Sequence, residues 1–187
     1  MDKQECLNAD WHMVGIEDGS LGKPMTVLGN YRKDCSKVDI VPDREAYERG
    51  HKEGLVRYCI YENGLRLGER GGKPAVNCPK GEGDAFYTGY LLGKDIYSAQ
   101  QAVNRLESSI QNKKDDLHDI DLEIDSHEKF LVNAQGDNQS RREAIEDIKR
   151  LKLDWQVIHQ ELNALEDDLI WAQDDLEALR SKVDVSQ

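Results

Sequence analysis

Apolar positions in the second half of the chain recur at spacings that alternate between three and four. Starting from Gly89, the series runs Leu92, Ile96, Ala99, Val103, Leu106, Ile110, Lys113, Leu117, Ile120, Ile124, His127 and Leu131. This is the period of a helix that keeps one apolar seam. The segment 133–140 interrupts it with asparagines, an aspartate and Gly136, all turn formers. Ser140, with Glu143 at the capping-box position, predicts the start of the next helix. A second series follows: Ala144, Ile148, Leu151, Trp155, Ile158, Leu162, Leu165, Leu169, Ala172, Leu176, Leu179 and Val183. Two runs of about 45 residues, each roughly 65 Å long at 1.5 Å per residue, flank one turn near 133–140. Equal runs of this kind predict an antiparallel coiled-coil hairpin over 95–187. Lys113 and His127 are polar seam positions. They read as register devices, with His127 also open to a role as a pH sensor.

The second run carries a further apolar set off the seam. Leu153, Val157, Ala164, Trp171 and Ala178 fall on the outer face, with Ile170 beside Trp171. Aromatic anchors are enriched at interfaces, so this stripe is a candidate contact surface for a protein partner or for a second copy of the chain. The competing readings are packing against the first half and scattered surface apolarity. The run Asp115, Asp116, Asp119, Asp121, Glu123, Asp125 reads as a solvated face. It is helical in pattern and lacks the loop geometry of a calcium site.

The first half shows another periodicity. Trp11 precedes Gly15 and Gly19, Tyr47 precedes Gly50 and Gly54, and Phe86 precedes Gly89 and Gly93. Glycines four apart share a helix face and let another backbone approach, as small residues do where helices cross. Each costs a helix about 1 kcal/mol relative to alanine, a cost that close packing offsets. A glycine-floored ligand groove is the functional alternative. Pro24 predicts a helix over 24–36, and Asp43 predicts the cap of one over 44–60. Asn63-Gly64 predicts a short β-hairpin or ordered loop between Cys59 and Cys78.

Composition sharpens the division. Residues 1–94 hold 14 Lys+Arg and 15 Asp+Glu, while residues 95–187 hold 11 and 22. The first part also has 14 of the 15 glycines and all four prolines and cysteines. The expected architecture is therefore mainly all-α: a small, Gly-rich helical head over 1–94, then the acidic hairpin over 95–187. A net charge of −12 argues against nucleic acid as a partner. No apolar run is long enough to span a membrane.

Cys6, Cys35, Cys59 and Cys78 form no C-x-x-C pair and have no histidine at zinc spacing. Two disulfides are expected. Of three connectivities, Cys6–Cys35 with Cys59–Cys78 is favoured because each closes a local loop. Buried free thiols are the alternative. Disulfides place the chain in an oxidising compartment such as the bacterial periplasm. Gly71-Gly72-Lys73 is not a phosphate loop: Leu67 stands where the first glycine is needed, and Pro74 where Ser or Thr is needed. No cofactor or metal is implied.

The head resembles the bacterial family known as domain of unknown function 2799, Gram-negative envelope lipoproteins. Its carrying residues include Cys6, Asp10-Trp11, Gly15, Asp18-Gly19, Cys35, Pro42-Asp43, Tyr47, Gly50, Gly54-Leu55, Tyr58-Cys59, Gly64, Gly68, Gly71, Cys78-Pro79, Phe86 and Gly89, within residues 6–93. The resemblance implies secretion and outer-membrane anchoring through a lipidated cysteine upstream. Residues 1–187 show neither signal peptide nor lipobox, and Cys6 corresponds to the family's structural cysteine, so a membrane link rests on the inferred anchor. The family supplies no activity.

Three functional classes follow. The first is a non-enzymatic periplasmic adaptor or scaffold of an envelope assembly that binds a protein partner through the hairpin. The second is a module for glycan, peptide or peptidoglycan fragments, using Trp11, Tyr58, Tyr61, Tyr87 and Tyr90 as stacking faces, although these also suit a small core. The third is an enzyme. Glu17, Asp18, Glu53, Glu62, His12, His51, Ser20 and Ser36 carry suitable groups, but no motif pairs them, so a non-enzyme is expected.

Overall fold

A computed structural model describes residues 1–79, 81–133 and 136–185. Among these the chain is helical: α1 Lys3–Asn8, α2 Trp11–Ser20, α3 Val27–Cys35, α4 Arg44–Tyr58, α5 Tyr61–Glu69, α6 Glu82–Val132 and α7 Asn138–Val185. A single 3₁₀ turn covers Ser36–Val38, and no strand occurs among the described residues. The chain divides into two compact units, Met1–Ser98 and Ala99–Gln187.

Local chemistry sets the helix starts of the first unit. Asp2 and Glu5 form a reciprocal capping box on α1. The Asp10 carboxylate accepts from the His12 and Met13 amides at the start of α2, and Asp43 accepts from the Ala46 amide at 2.9 Å to open α4. Each satisfies amides that a helix leaves without partners. The helix expected over 24–36 begins at Val27, because residues 24–29 are first drawn into turn hydrogen bonds.

Two departures from the sequence reading concern Asn63 and Ser140. Residues 61–69 are helix α5, not a β-hairpin or loop. Asn63 donates its side-chain amide to the Tyr58 carbonyl at 2.9 Å, and Gly64 lies against the Phe86 backbone. Gly64 serves close approach rather than a turn. The start of α7 is capped by Asp137, not Ser140. The Asp137 carboxylate accepts from the Gln139 and Ser140 amides and from the Ser140 hydroxyl. This lowers its pKa below the usual carboxylate range, chiefly through the Ser140 hydrogen bonds. Positions 134–135 of the expected turn lie outside the described residues.

The first unit is built twice to one plan. In each copy two helices cross through facing glycines. A Cβ at Gly15, Gly19, Gly50 or Gly54 would strike the backbone of the opposite helix, so α2 and α4 meet main chain to main chain. Gly64, Gly68, Gly89 and Gly93 do the same between α5 and α6. Gly22 and Gly71 follow the first helix of each pair at φ +66° and +67°. That conformation disfavours a side chain, and each glycine packs under a tyrosine ring, Tyr58 and Tyr97 respectively. The disulfides Cys6–Cys35 and Cys59–Cys78 each join the chain ahead of the first helix of a copy to the chain ahead of its second.

In the second unit every seam position from Ala99 to Leu131 and from Ala144 to Val183 is buried or half-buried. Val103, Ile110, Ala144, Leu151, Leu162 and Leu176 are the most enclosed. Polar pairs between α6 and α7 run in opposite chain order: Gln100 with Arg180, Lys113 with Glu161, Lys114 with Glu166, and Glu128 with Lys152. Lys113, polar on the seam, is satisfied by Glu161 at 2.7 Å. His127 lies 4.0 Å from Glu123, its neighbour one turn back.

Candidate functional site

The head contains a buried polar knot. Asp18, 2% exposed, accepts from the Tyr47 hydroxyl at 2.8 Å, the Tyr31 hydroxyl at 3.0 Å and the Lys23 ammonium at 2.8 Å. Burial and then the Asp18 bond push the Tyr47 and Tyr31 phenols above their ordinary range. The Asp18 hydrogen bond raises Lys23. His51, also 2% exposed, donates Nε2–H to the Lys23 carbonyl at 2.7 Å and stacks on Tyr47. A buried carboxylate is costly unless its oxygens are occupied. Here three donors occupy them, so the knot holds α2, α3 and α4 together. In the second copy Leu67 takes the place of Asp18 and packs beside Val76 and Phe86.

Of the other groups weighed for chemistry, Glu17 and Ser20 line one open groove of about 530 Å³ with Asp10 and Arg57, a lining that contains no histidine. His12 meets Glu53 at 3.1 Å on the surface. The Ser20 and Ser36 hydroxyls donate to carbonyls of their own chain segment, Glu17 and Lys33. No cluster of metal-ligating side chains occurs among the described residues, and no described helix is long and apolar enough to cross a membrane.

Two surfaces remain. The first is a cleft of about 610 Å³ in the head. Met25, Leu55 and Val76 supply apolar lining, while Arg44, Glu48 and Lys52 supply charge. The Arg44 guanidinium is held by Glu48 at 2.6 Å. The cleft is not lined by Trp11, Tyr58, Tyr61, Tyr87 or Tyr90. Trp11 is buried, Tyr58 half-buried on Phe86, and Tyr90 bonds the Gly72 carbonyl. The second surface is the outer face of α7, where Leu153, Val157, Ala164, Ile170 and Trp171 are all exposed. Trp171 is 72% exposed, the highest value among the described tryptophans.

A doubled, disulfide-stapled pair of glycine-packed helix crossings defines the head as a small structural domain. Residues 10–95 match the family model described as "Protein of unknown function (DUF2799)". Cys6 lies ahead of the matched range, and the whole outer face of α7 lies beyond it. No curated protein and no solved structure matches the chain.

The sequence reading missed the fourth glycine pair, Gly64 and Gly68. The signal was present as Tyr61-x-x-Gly64-x-x-x-Gly68, spaced as in the α4 and α6 copies, but Asn63-Gly64 outweighed it. The Asp18 knot and the cleft had no signal in the linear pattern, since each gathers residues from separate helices.

Proposed function

We propose that this protein is a non-enzymatic adaptor of a bacterial envelope assembly. It works in the periplasm, is held at the outer membrane by a lipid anchor upstream, and binds a protein partner through an antiparallel coiled-coil hairpin formed by α6 and α7. The observation that carries this reading is the exposed stripe on α7, centred on Trp171. Exposed tryptophan aligned with Leu153, Val157 and Ala164 on a helix otherwise rich in carboxylates is the composition of a docking face rather than of solvated surface. The first stapled crossing of the head supports a structural role, because Asp18, Tyr47 and His51 are spent on packing. The family's envelope association supports the location.

The test is photo-crosslinking in the bacterial envelope with a probe at Trp171 and a control at Asp119. A heavier adduct from Trp171 and none from Asp119 is expected, with mass spectrometry naming the partner. An adduct of twice the chain's mass would identify a second copy as the occupant. Crosslinks only into residues 1–98, or none, would end the docking reading.

The cleft favours a second reading, a peptide-binding head. Its apolar lining with Lys52 at hand suits a short apolar segment ending in a carboxylate. Saturable binding of peptides by the full chain, abolished by Leu55→Glu, would favour it over the adaptor.

A further inference from the structure

The four helix neighbours of Trp171, at i−4, i−3, i+3 and i+4, are Asp167, Asp168, Asp174 and Asp175. All four are exposed. The helix ion pairs beside them use other acids: Glu161 with Lys113 and Glu166 with Lys114. Between Leu153 and Leu179 α7 has eight acidic residues and no lysine or arginine. The indole is therefore boxed by carboxylates on both sides of the stripe.

The stripe has the dimensions of a helix seat. Val157, Ala164, Trp171 and Ala178 recur every seventh residue, so they form a stripe that drifts by only about 20° per heptad along α7 and that another helix can follow by supercoiling. A loop or small ligand would use one or two of these positions, not four in register. Charge then selects the occupant. Opposite charges flanking an apolar seam set partner choice in packed helices. A cationic side chain over Trp171 would meet the indole face and the surrounding carboxylates at once. A second copy of the chain would bring aspartates against aspartates across a two-fold axis, which disfavours self-association.

We infer that the partner's docking element is a basic amphipathic helix, with apolar residues on its seam and Lys or Arg flanking them. It adds to α7 as a third helix, with Trp171 beneath a cationic side chain. This rests on the docking reading of the stripe given above and goes further by naming the partner's chemistry.

The test uses the full chain and two synthetic 28-residue amphipathic helices with the same leucine seam. One carries lysine at the flanking positions and the other glutamate. The indole N–H resonance of Trp171, assigned by Trp171→Phe, reports occupancy, and that of buried Trp11 is the control. The lysine peptide is expected to move Trp171 and leave Trp11 unchanged. Its affinity is expected to weaken at least ten-fold in the variant Asp167→Asn/Asp168→Asn/Asp174→Asn/Asp175→Asn and in 500 mM salt, with helicity by circular dichroism unchanged. Equal binding of the two peptides would overturn the basic-helix inference and leave the stripe as a docking face. If neither peptide moves Trp171 while the envelope crosslink persists, the inference falls and the adaptor reading stands. A concentration-dependent shift of Trp171 without peptide would assign the stripe to a second copy and overturn both the charge argument and the named partner.

Discussion

Replacing Gly50 by alanine tests whether glycine pairing organises the head. A methyl group at Gly50 would point into the His12 carbonyl of α2 and reach within 3.0 Å of the Ile16 amide. Both are backbone atoms, so no side chain can swing aside. Restoring ordinary contact needs α2 and α4 to part by on the order of 1 Å. That also loosens the reciprocal contacts of Gly15, Gly19 and Gly54. Overpacking of this kind costs about 1–3 kcal/mol, and rigid backbone on both sides favours the upper end. Alanine returns about 1 kcal/mol of helix propensity, leaving a net loss of about 2 kcal/mol. Gly29→Ala is the control. Gly29 lies within α3, and a Cβ there meets nothing within 4 Å, so only the propensity gain of about 0.5–1 kcal/mol applies. The two variants should differ by about 3 kcal/mol, or roughly 12–24 °C in the head's melting midpoint. A Trp155→Phe/Trp171→Phe background leaves Trp11 as the only tryptophan, so its fluorescence follows the head. A Gly15→Ala/Gly50→Ala double variant should lose less than the sum of the singles, because the first methyl already parts the same helices. A Gly50→Ala protein that melts with Gly29→Ala, or above wild type, would refute backbone contact at this crossing.

Two more outcomes follow from the head. The raised Tyr47 phenol means the folded state keeps its proton to higher pH than the unfolded chain. That stability is complete below the ordinary phenol value near 10. It is lost as pH rises above it, by up to about 1.4 kcal/mol per pH unit. Urea midpoints measured from pH 8 to 12 should fall on the alkaline side, and Tyr47→Phe should flatten that fall while lowering stability at neutral pH; a wild-type midpoint constant to pH 12 would contradict the buried knot. Reducing Cys6–Cys35 or Cys59–Cys78, which close loops of sequence separation 29 and 19, should each remove about 3–4 kcal/mol in the chain-entropy model. Trp11 fluorescence in graded dithiothreitol would check this, with an unchanged urea midpoint as the contrary result.

Much of the architecture was legible because helix periodicity is a local property. The alternation of three and four between Ala99 and Val183 marked the enclosed face of α6 and α7 before any contact was known. It also marked Leu153, Val157 and Trp171 as off the seam. Asp43 announced a helix start because a cap bonds an amide only three residues away. The failures came where two local signals competed. Asn63-Gly64 is a turn signal in isolation, yet Gly64 is one of a glycine pair that α6 requires. Likewise Ser140 fits a capping box, but Asp137, three residues earlier, accepts from the Gln139 and Ser140 amides and starts the helix there.

By itself, then, the sequence determined which segments are helical in period, which residues line their seams, that the head and the acidic helices differ in kind, and that paired glycines invite close crossings. Only the tertiary structure decided which glycine pairs meet. It joined α2 to α4 and α5 to α6, and so revealed the head as one plan used twice. It also decided that Asp18 is buried with Tyr31, Tyr47 and Lys23 rather than free for chemistry, and that a cleft opens beside Leu55. The physical reason is range. Period, capping and propensity act over a few residues and are written in the order of the chain. Burial, reciprocal backbone contact and carboxylate satisfaction depend on groups tens of residues apart, which no linear pattern brings together.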